Sequence, residues 1–250
     1  MSSLVVMVPF ARTPSTANGM RRCHNRNGAL KQYQQYQADY QQLCQLPTFE
    51  PKTALQPDLP LPQLHQLAFE AQQELAEALT SLIKGNCCVL VNPGVKSFQR
   101  AQGKIETELQ GNIRRLTDLA RATLVVTNLS TLVATFAALA ERVEIVSLLN
   151  RFQRPKANGY RDLKALVRLS ATGMLAEVQL HLEAIQTVKN GEEHRAYQQL
   201  QCIQRKAELE CRPLSVWEQA KVARLRRYSR ALYEEAWQRY VVSDTQIALS

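Results

Sequence analysis

The sequence predicts a mixed α/β protein in which helices flank a sheet. Apolar residues between Leu64 and Ile83 recur at i, i+3 and i+4, which is the pattern of an amphipathic helix. The run from Asp118 to Val126 is apolar and β-branched enough for a buried strand. Residues 160–182 alternate apolar and polar around a turn at 170–173, as a β-hairpin does. These elements together predict a mixed sheet with added N- and C-terminal helices.

The N-terminal part carries no pattern that indicates chemistry. Residues 1–27 lack periodicity and indicate a loose tail, and the Gln/Tyr-rich stretch 28–46 is either a surface helix or disordered. A Pro-rich linker follows and leads into the helix over 64–83. We therefore divide the chain into a tail and linker (1–58), a core (59–206) and a C-terminal helical extension (207–250).

Composition excludes some classes of protein. The chain has 250 residues, of which 45% are apolar, so it can bury a sizeable core. No apolar run approaches the roughly 18 residues of a membrane span, and Leu4–Phe10 is a poor signal peptide, so we expect a cytoplasmic protein without a membrane segment. The 6 cysteines include no C-x-x-C, which favours reduced thiols over a zinc site or a disulfide framework.

Positive charge is concentrated in one part of the chain. The net charge is +9, and residues 91–170 contain 13 Lys/Arg but 6 Asp/Glu. A solvated basic face would explain this bias, but the excess coincides with the unusual polar residues. An anionic ligand is therefore favoured, although charge alone does not separate a nucleotide from a nucleic acid.

The segment from Gly94 to Leu109 predicts a helix with a basic stripe, because Lys96, Arg100 and Lys104 follow at i, i+4 and i+8. Like charges at that spacing repel each other, which favours phosphate binding over a bare exposed face. The next strand begins with Asp118 and contains Arg121, and buried charges need partners or ligands.

A helix capped by Asn128 or Ser130 is predicted to end near Ala140, and a strand to span Val143–Leu149. A basic loop follows, and Gly159 frees the backbone just before Tyr160.

The hairpin has one polar face. If Leu169 pairs with Met174, then Lys164 lies opposite Gln179. In the same register Asp162 lies opposite His181. The face contains Tyr160, Asp162, Lys164, Arg168, Glu177, Gln179 and His181.

Such a face is suited to phosphoryl transfer. Asp118 and Glu177, from different strands, could hold Mg²⁺ against phosphate oxygens while Lys and Arg neutralise developing charge. An ordinary ion pair between Glu177 and Lys164 accounts for the spacing equally well. His194 and Tyr197, at i and i+3 after Gly191, are more typical of a packed helix face.

Five motifs in order resemble the RelA/SpoT-type alarmone synthetases. They are V-K-S-F-Q-R-A-Q-G-K at 95–104, D-L-A-R-A-T-L-V-V at 118–126, P-K-A-N-G-Y-R-D-L-K at 155–164, E-V-Q-L-H-L at 177–182 and E-E-H-R-A-Y at 192–197. The resemblance covers about residues 96–205 and is strongest to the small single-domain members, including toxin-like ones.

The resemblance implies a nucleotidyltransferase-like core that moves pyrophosphate from ATP to the 3′-hydroxyl of a second nucleotide. It implies that Asp118 and Glu177 bind Mg²⁺, with Glu177 also near the attacking hydroxyl. The residues implied to hold ATP phosphates are Lys96, Arg100, Lys104 and Arg121. Tyr160 would stack on the acceptor base, and the other acceptor-side residues would be Lys156, Arg161, Lys164, Gln179 and His194.

Two positions depart from the family pattern. Gly94 stands where many members have an arginine for the donor adenine, and Lys164 stands where a histidine is common. The sequence also has no His-Asp dipeptide, so the hydrolase motif of the bifunctional members is missing.

Three functions follow as hypotheses. The first is a synthetase that makes (p)ppGpp from ATP and GDP or GTP. The second is a toxin-like enzyme that modifies an adenine nucleotide or the CCA 3′ end of tRNA, with an antitoxin or immunity protein as a possible partner. The third is a degenerate module that only binds nucleotide or RNA. An oligomer is compatible with all three.

A long C-terminal helix is predicted over 215–240, with Ser215 as its cap. Its aromatic residues favour packing over base stacking. Its basic centre, Arg224, Arg226, Arg227 and Arg230, would suit RNA or a neutralising partner.

Overall fold

The computed structural model describes residues 18–51, 53–83 and 87–241 of the chain. The chain divides into two units, Met1–Gln35 with Val242–Ser250, and Tyr36–Val241. Every strand and every residue of the candidate site belongs to the second unit. The loose tail predicted for 1–27 lies outside the described residues up to residue 17. It is wrong from Asn18 onward, because the first helix begins there.

The described residues form seven α-helices and five strands. The helices are α1 (Asn18–Gln45), α2 (Leu61–Thr80), α3 (Phe98–Glu108), α4 (Leu129–Arg142), α5 (Glu183–Asn190), α6 (Glu192–Leu209) and α7 (Val216–Gln238). The strands are β1 (Cys88–Val91), β2 (Ala120–Val126), β3 (Glu144–Asn150), β4 (Leu163–Arg168) and β5 (Leu175–Leu182).

The strands form one mixed sheet in the order β1-β2-β5-β4-β3. Only the central pair, β2 with β5, is parallel, and the other three pairs are antiparallel. The predicted α/β class and the flanking helices are confirmed. The predicted hairpin is β4–β5, and its register is the expected one, with Lys164 opposite Gln179.

The boundaries of several elements differ by a few residues from the predicted ones. The helix predicted to continue through Ile83 ends at Thr80. Asn128, and not Ser130, caps α4, because its side-chain oxygen accepts a hydrogen bond from the Thr131 backbone N–H at 2.8 Å. The domain boundaries predicted after residues 58 and 206 stay predictions.

The Pro-rich segment is attached to the core through Gln56, whose side chain is buried. Its amide nitrogen donates to the carbonyl oxygens of Leu116 and Leu175 at 3.0 and 2.9 Å. Its oxygen accepts from the Leu175 backbone N–H at 2.9 Å. These bonds fix the segment against the start of β5 and leave no buried amide group of Gln56 unpaired.

Helix α7 packs through its aromatic residues, as predicted for most of them. Tyr233 and Trp237 are buried, and Ser215 begins the helix in a capping box with Glu218. Trp217 and Tyr228 are the exceptions, since they are 86% and 44% exposed. Within the described ranges, no helix combines the length and apolarity that crossing a bilayer requires.

Candidate functional site

The polar face of the sheet crosses its three central strands. The parallel register of β2 and β5 puts Arg121 level with Glu177. The Glu177 carboxylate accepts a hydrogen bond from the Gln179 amide at 2.6 Å, and it lies 3.3 Å from the Lys164 ammonium. The ion pair that the sequence left as an alternative is therefore present, within a larger polar cluster.

Asp118 lies two residues before β2 and is almost completely buried. The ammonium groups of Lys96 and Lys104 lie 2.8 and 2.9 Å from its Oδ2. Burial raises the pKa of Asp118, but the hydrogen bonds and charges of the two lysines outweigh it and hold that pKa below its ordinary value. The carboxyl is therefore ionised at neutral pH, and its other oxygen, Oδ1, is buried without a hydrogen-bond partner in the described chain.

The basic stripe predicted on one helix face is partly wrong. Helix α3 begins only at Phe98, so Arg100 and Lys104 are helical but Lys96 precedes the helix. Gly94 precedes the helix and has a φ of +72°, a left-handed conformation that glycine adopts without steric cost. Lys96 still meets Lys104, because both side chains converge on Asp118.

These cations line a cavity of about 790 Å³ between α3 and α6, which we call the α3–α6 cavity. Helix α6 contributes Arg205 and Leu209 to its wall. Neither Arg100 nor Arg205 forms an ion pair with any described residue. The cavity therefore offers two free guanidinium groups beside two lysines that already hold a carboxylate.

A second cavity, of about 340 Å³, lies over the β4–β5 hairpin, and we call it the hairpin cavity. It brings together most of the predicted acceptor-side residues. Its wall consists of Arg151, Lys156, Asn158, Tyr160, Asp162, Lys164, Glu177, Gln179, Lys189, Glu193, His194, Tyr197 and Tyr233.

Tyr160 forms part of the wall of this cavity but is only 7% exposed. Gly159, with a φ of +84°, turns the chain so that the Tyr160 ring packs edge-on against Tyr233, at 5.5 Å between centroids. Lys156 and Lys189 lie 5.4 and 5.9 Å from the centre of the Tyr160 ring. These ammonium groups lie over the ring, so a base that stacks here would share the ring face with cations.

The cations of the hairpin cavity are crowded and partly buried. Burial lowers the pKa of the Lys156 ammonium, and the charge of Arg151 lowers it further. Burial likewise lowers the pKa of Lys189, whose ammonium donates to Gln179 Oε1 at 2.9 Å. An anionic ligand would stabilise the charged forms of these two lysines, because an opposite charge nearby favours the ammonium.

A small cleft of about 280 Å³ adjoins the hairpin cavity. Arg121 lies in its wall, and Glu177, Gln179 and Lys189 belong both to this cleft and to the hairpin cavity. Glu177 is therefore exposed to two adjoining spaces, one with Arg121 and one with Tyr160.

Arg161 is not brought to the cavities. Its guanidinium lies 4.7 Å from the Trp237 ring centre and 3.9 Å from Glu234. The two-residue period places Arg161 with the inward-facing Leu163, and on the opposite side from Tyr160. That period was a signal against including Arg161 in the acceptor-side set.

Sequence reasoning missed Lys189, Arg205 and Glu193. Lys189 lies in the last turn of α5, where a lysine is usual because it complements the helix dipole, so its position in the sequence did not distinguish it. Glu193 is buried and accepts from the Tyr233 hydroxyl at 3.0 Å. Only the packing of α5, α6 and α7 shows that these side chains face a cavity.

Asp118 and Glu177 stay predicted ligands of a magnesium ion, and carboxylate oxygens are a donor type that suits it. Among the described residues no three His, Cys, Asp or Glu side chains form a metal cluster. Mg²⁺ is commonly held by one or two carboxylates, with phosphate oxygens and water supplying the rest. The unpartnered Asp118 Oδ1 is a suitable donor for that arrangement.

Comparisons with known proteins identify the fold. No family model and no curated protein matches the sequence. The crystal structure of the Type VI effector Tas1 in complex with its immunity protein is similar over 71% of this chain and 96% of that one, with 19% identity and a TM-score of 0.53. Small alarmone synthetase 1 from Bacillus subtilis, bound to its product pppGpp, is similar over 70% of this chain and 89% of that one (17% identity, TM-score 0.49). Small alarmone synthetase 2 from the same organism is similar over 70% and 92% (18% identity, TM-score 0.49). The resemblance that the motifs indicated is thus confirmed at the level of the fold.

Proposed function

We propose that this protein transfers pyrophosphate from ATP to the 3′-hydroxyl of GDP or GTP and so makes (p)ppGpp. The observation that carries the proposal is the position of Glu177. It faces Arg121 on one side and the Tyr160 cavity on the other. A single carboxylate that adjoins two cation-lined spaces suits a reaction in which two nucleotides meet.

Each part of the face has a role in this reaction. Lys96, Arg100, Lys104 and Arg121 bind the phosphates of ATP, and Tyr160 stacks on the acceptor base. The acceptor 3′-oxygen attacks the β-phosphorus of ATP, the bond from that phosphorus to the α-phosphate oxygen breaks, and AMP leaves. Glu177 accepts the proton of the hydroxyl.

Asp118 and Glu177 would hold Mg²⁺, which neutralises charge on the transferred group when it is bound. Lys96 and Lys104 keep Asp118 ionised and fix its orientation. The sequence lacks the His-Asp motif of the hydrolase members, so the proposed activity is synthesis without removal of the product.

The experiment is to incubate the protein with ATP labelled at the γ-phosphate, Mg²⁺ and, in turn, GDP, GTP, ADP and deacylated tRNA. We expect label in GDP or GTP. A parallel reaction with α-labelled ATP must release labelled AMP and leave the acceptor unlabelled, which separates pyrophosphate transfer from nucleotidyl transfer. Failure of transfer to every acceptor would contradict an enzymatic function and favour a binding module.

A toxin-like enzyme that modifies an adenine nucleotide or the tRNA 3′ end is the second candidate. The observation that favours it is the exposed row of arginines on α7, Arg224, Arg226, Arg227 and Arg230. Phosphate-backbone contacts from such a row would make transfer to tRNA fall steeply with salt. Under this candidate the protein has a neutralising partner, as Tas1 has in its complex with an immunity protein.

A further inference from the structure

Asp162 is a fully buried carboxylate of the hairpin cavity, and it has no role in the reaction proposed above. It lies between Tyr160 and the first residue of β4, and its exposed fraction is 0%. Burying an ionised carboxylate is costly unless charges and hydrogen bonds compensate it. The partners of Asp162 therefore indicate why a charge is kept there.

Arg151 is the first partner. Its guanidinium Nη1 donates to Asp162 Oδ1 at 2.7 Å, and its backbone N–H donates to the Asp162 carbonyl oxygen at 2.9 Å. The guanidinium carbon lies 5.8 Å from the centre of the Tyr160 ring, at the wall of the hairpin cavity. These two hydrogen bonds to Asp162 thus fix the position of the Arg151 guanidinium at the cavity wall.

Tyr160 is the second partner. Its hydroxyl donates to Asp162 Oδ2 at 2.7 Å and lies 2.7 Å from His181 Nε2. The other ring nitrogen of His181, Nδ1, contacts Gln186 Oε1. The Tyr160 hydroxyl is therefore held between a carboxylate and an imidazole, and these two bonds fix the orientation of the ring.

The charge on Asp162 is maintained by these partners. Burial raises the pKa of this carboxyl, but hydrogen bonds and charges from His181 and Arg151 outweigh it and lower that pKa to about 2. Burial lowers the pKa of the His181 imidazole, and its hydrogen bond with Asp162 opposes that shift. The Asp162 anion is balanced by the Arg151 cation, which lies 2.7 Å away.

We propose that Asp162 is the positioning residue of the hairpin cavity, because it holds the Arg151 guanidinium and the Tyr160 ring in the places where an acceptor nucleotide would meet them. This inference rests on the proposed function and deepens it. Asp162 touches neither nucleotide. It acts through Arg151, which pairs with acceptor phosphate, and through Tyr160, which stacks on the acceptor base.

The inference separates the two substrates. Asp162 and its partners line or adjoin the hairpin cavity and none of them lines the α3–α6 cavity. A defect at Asp162 must therefore weaken the acceptor and leave ATP unaffected. A residue that served only the stability of the sheet would change both.

The experiment measures kcat and KM for ATP and for the acceptor that gains label, in the wild type, Asp162→Asn, Arg151→Gln and the double variant. We expect Asp162→Asn to raise the acceptor KM about tenfold, as the loss of a charged hydrogen bond does, with the KM for ATP unchanged. Because Asp162 acts in part through Arg151, the loss in the double variant should be smaller than the sum of the two single losses. Equal changes in both KM values, additive losses, or an unchanged acceptor KM would each overturn the proposal.

Two controls keep the test decisive. Asp58→Asn removes a carboxylate whose side chain is 84% exposed and 3.8 Å from Arg114, and it should change neither KM. If Asp162→Asn does not fold, Arg151→Gln and Tyr160→Phe remove its two donors one at a time. Each variant must then raise the acceptor KM and leave the KM for ATP unchanged, and the proposal fails if either variant does not.

Failure of the proposed function would be visible separately. A wild type that transfers label to no acceptor contradicts that function, and the affinity for GDP, measured by equilibrium dialysis, then decides about Asp162. Weaker GDP binding by Asp162→Asn supports the positioning role. Equal binding by the two proteins, or no binding by the wild type, overturns it.

Discussion

The α3–α6 cavity and the hairpin cavity are both lined by cations, but they hold them differently. In the α3–α6 cavity, Arg100 and Arg205 are exposed and have no ion-pair partner among the described residues. In the hairpin cavity, Arg151 is bonded to a fully buried carboxylate, and burial lowers the pKa of Lys156 and Lys189.

This difference suggests that the two cavities contribute to binding in different ways. Exposed, unpaired guanidinium groups can follow a flexible phosphate chain and gain most of their strength from charge. A buried network that is formed before the ligand arrives lowers the entropy that binding costs and fixes the geometry. We therefore expect the hairpin cavity to determine which acceptor is used and the α3–α6 cavity to determine how tightly ATP is held.

The largest expected effect concerns Glu177, which lines both the hairpin cavity and the cleft that contains Arg121. Glu177→Gln should lower kcat by roughly 10²–10⁴-fold, the range for the loss of a general base, while the protein stays folded. The measurement is transfer from labelled ATP, with circular dichroism as the check on folding. Retained activity would remove Glu177 from the mechanism.

A matched control for this variant is Glu144→Gln. Glu144 forms an ion pair with Arg168 at 3.3 Å, the same separation as between Glu177 and Lys164, but in the open part of the sheet. We expect normal transfer from this variant, because its carboxylate lines neither cavity.

The next effect is on the stability of the fold. It tests whether the network of the hairpin cavity is formed before a ligand binds. The pKa of Asp162 is about 2 in the folded protein and about 3.9 in an unfolded chain. The folded value is the lower one, so Asp162 stabilises the fold above pH ~4, and this contribution of about 2 kcal/mol is lost as the pH falls toward 2.

The measurement is urea unfolding of the wild type and Asp162→Asn at several pH values. The difference in unfolding free energy between the two proteins should shrink as the pH falls from about 4 to about 2. A difference that stays constant with pH would show that the Asp162 charge contributes nothing, and that the cavity is not organised by it.

The smallest effect concerns Arg205 in the α3–α6 cavity. Arg205→Gln should raise the KM for ATP several-fold, up to about tenfold for one phosphate contact, and leave the KM for the acceptor unchanged. Arg115→Gln, an exposed arginine before β2 that lines neither cavity, is the matched control. A change in the acceptor KM alone would reverse the proposed division between the cavities.

Much of the sheet was predictable because its signals are local. The two-residue period and the short turn fix the register of the hairpin, and the opposition of Lys164 and Gln179 is confirmed. The same period would have placed Arg161 on the other face of the strand, where it contacts Trp237. Lys96 was wrongly placed on a helix because the four-residue spacing of the basic residues continues on both sides of Phe98, where the helix begins.

Other features depend on how helices pack and were not predictable. Arg205 and Lys189 lie on helices whose charge patterns are ordinary, and only the docking of α5 and α6 turns them toward cavities. The convergence of Lys96 and Lys104 on Asp118 likewise joins residues from a turn, a helix and a strand entry.

The sequence by itself determined the mixed α/β class, the hairpin and the set of charged residues on one face, because period, turn and motif are properties of neighbouring residues. The tertiary structure decided which of those charges share a cavity, which are neutralised by Asp118 and Asp162, and that Glu177 adjoins two spaces. These outcomes depend on long-range packing and burial, which set the distance between charges and the cost of leaving them unpaired.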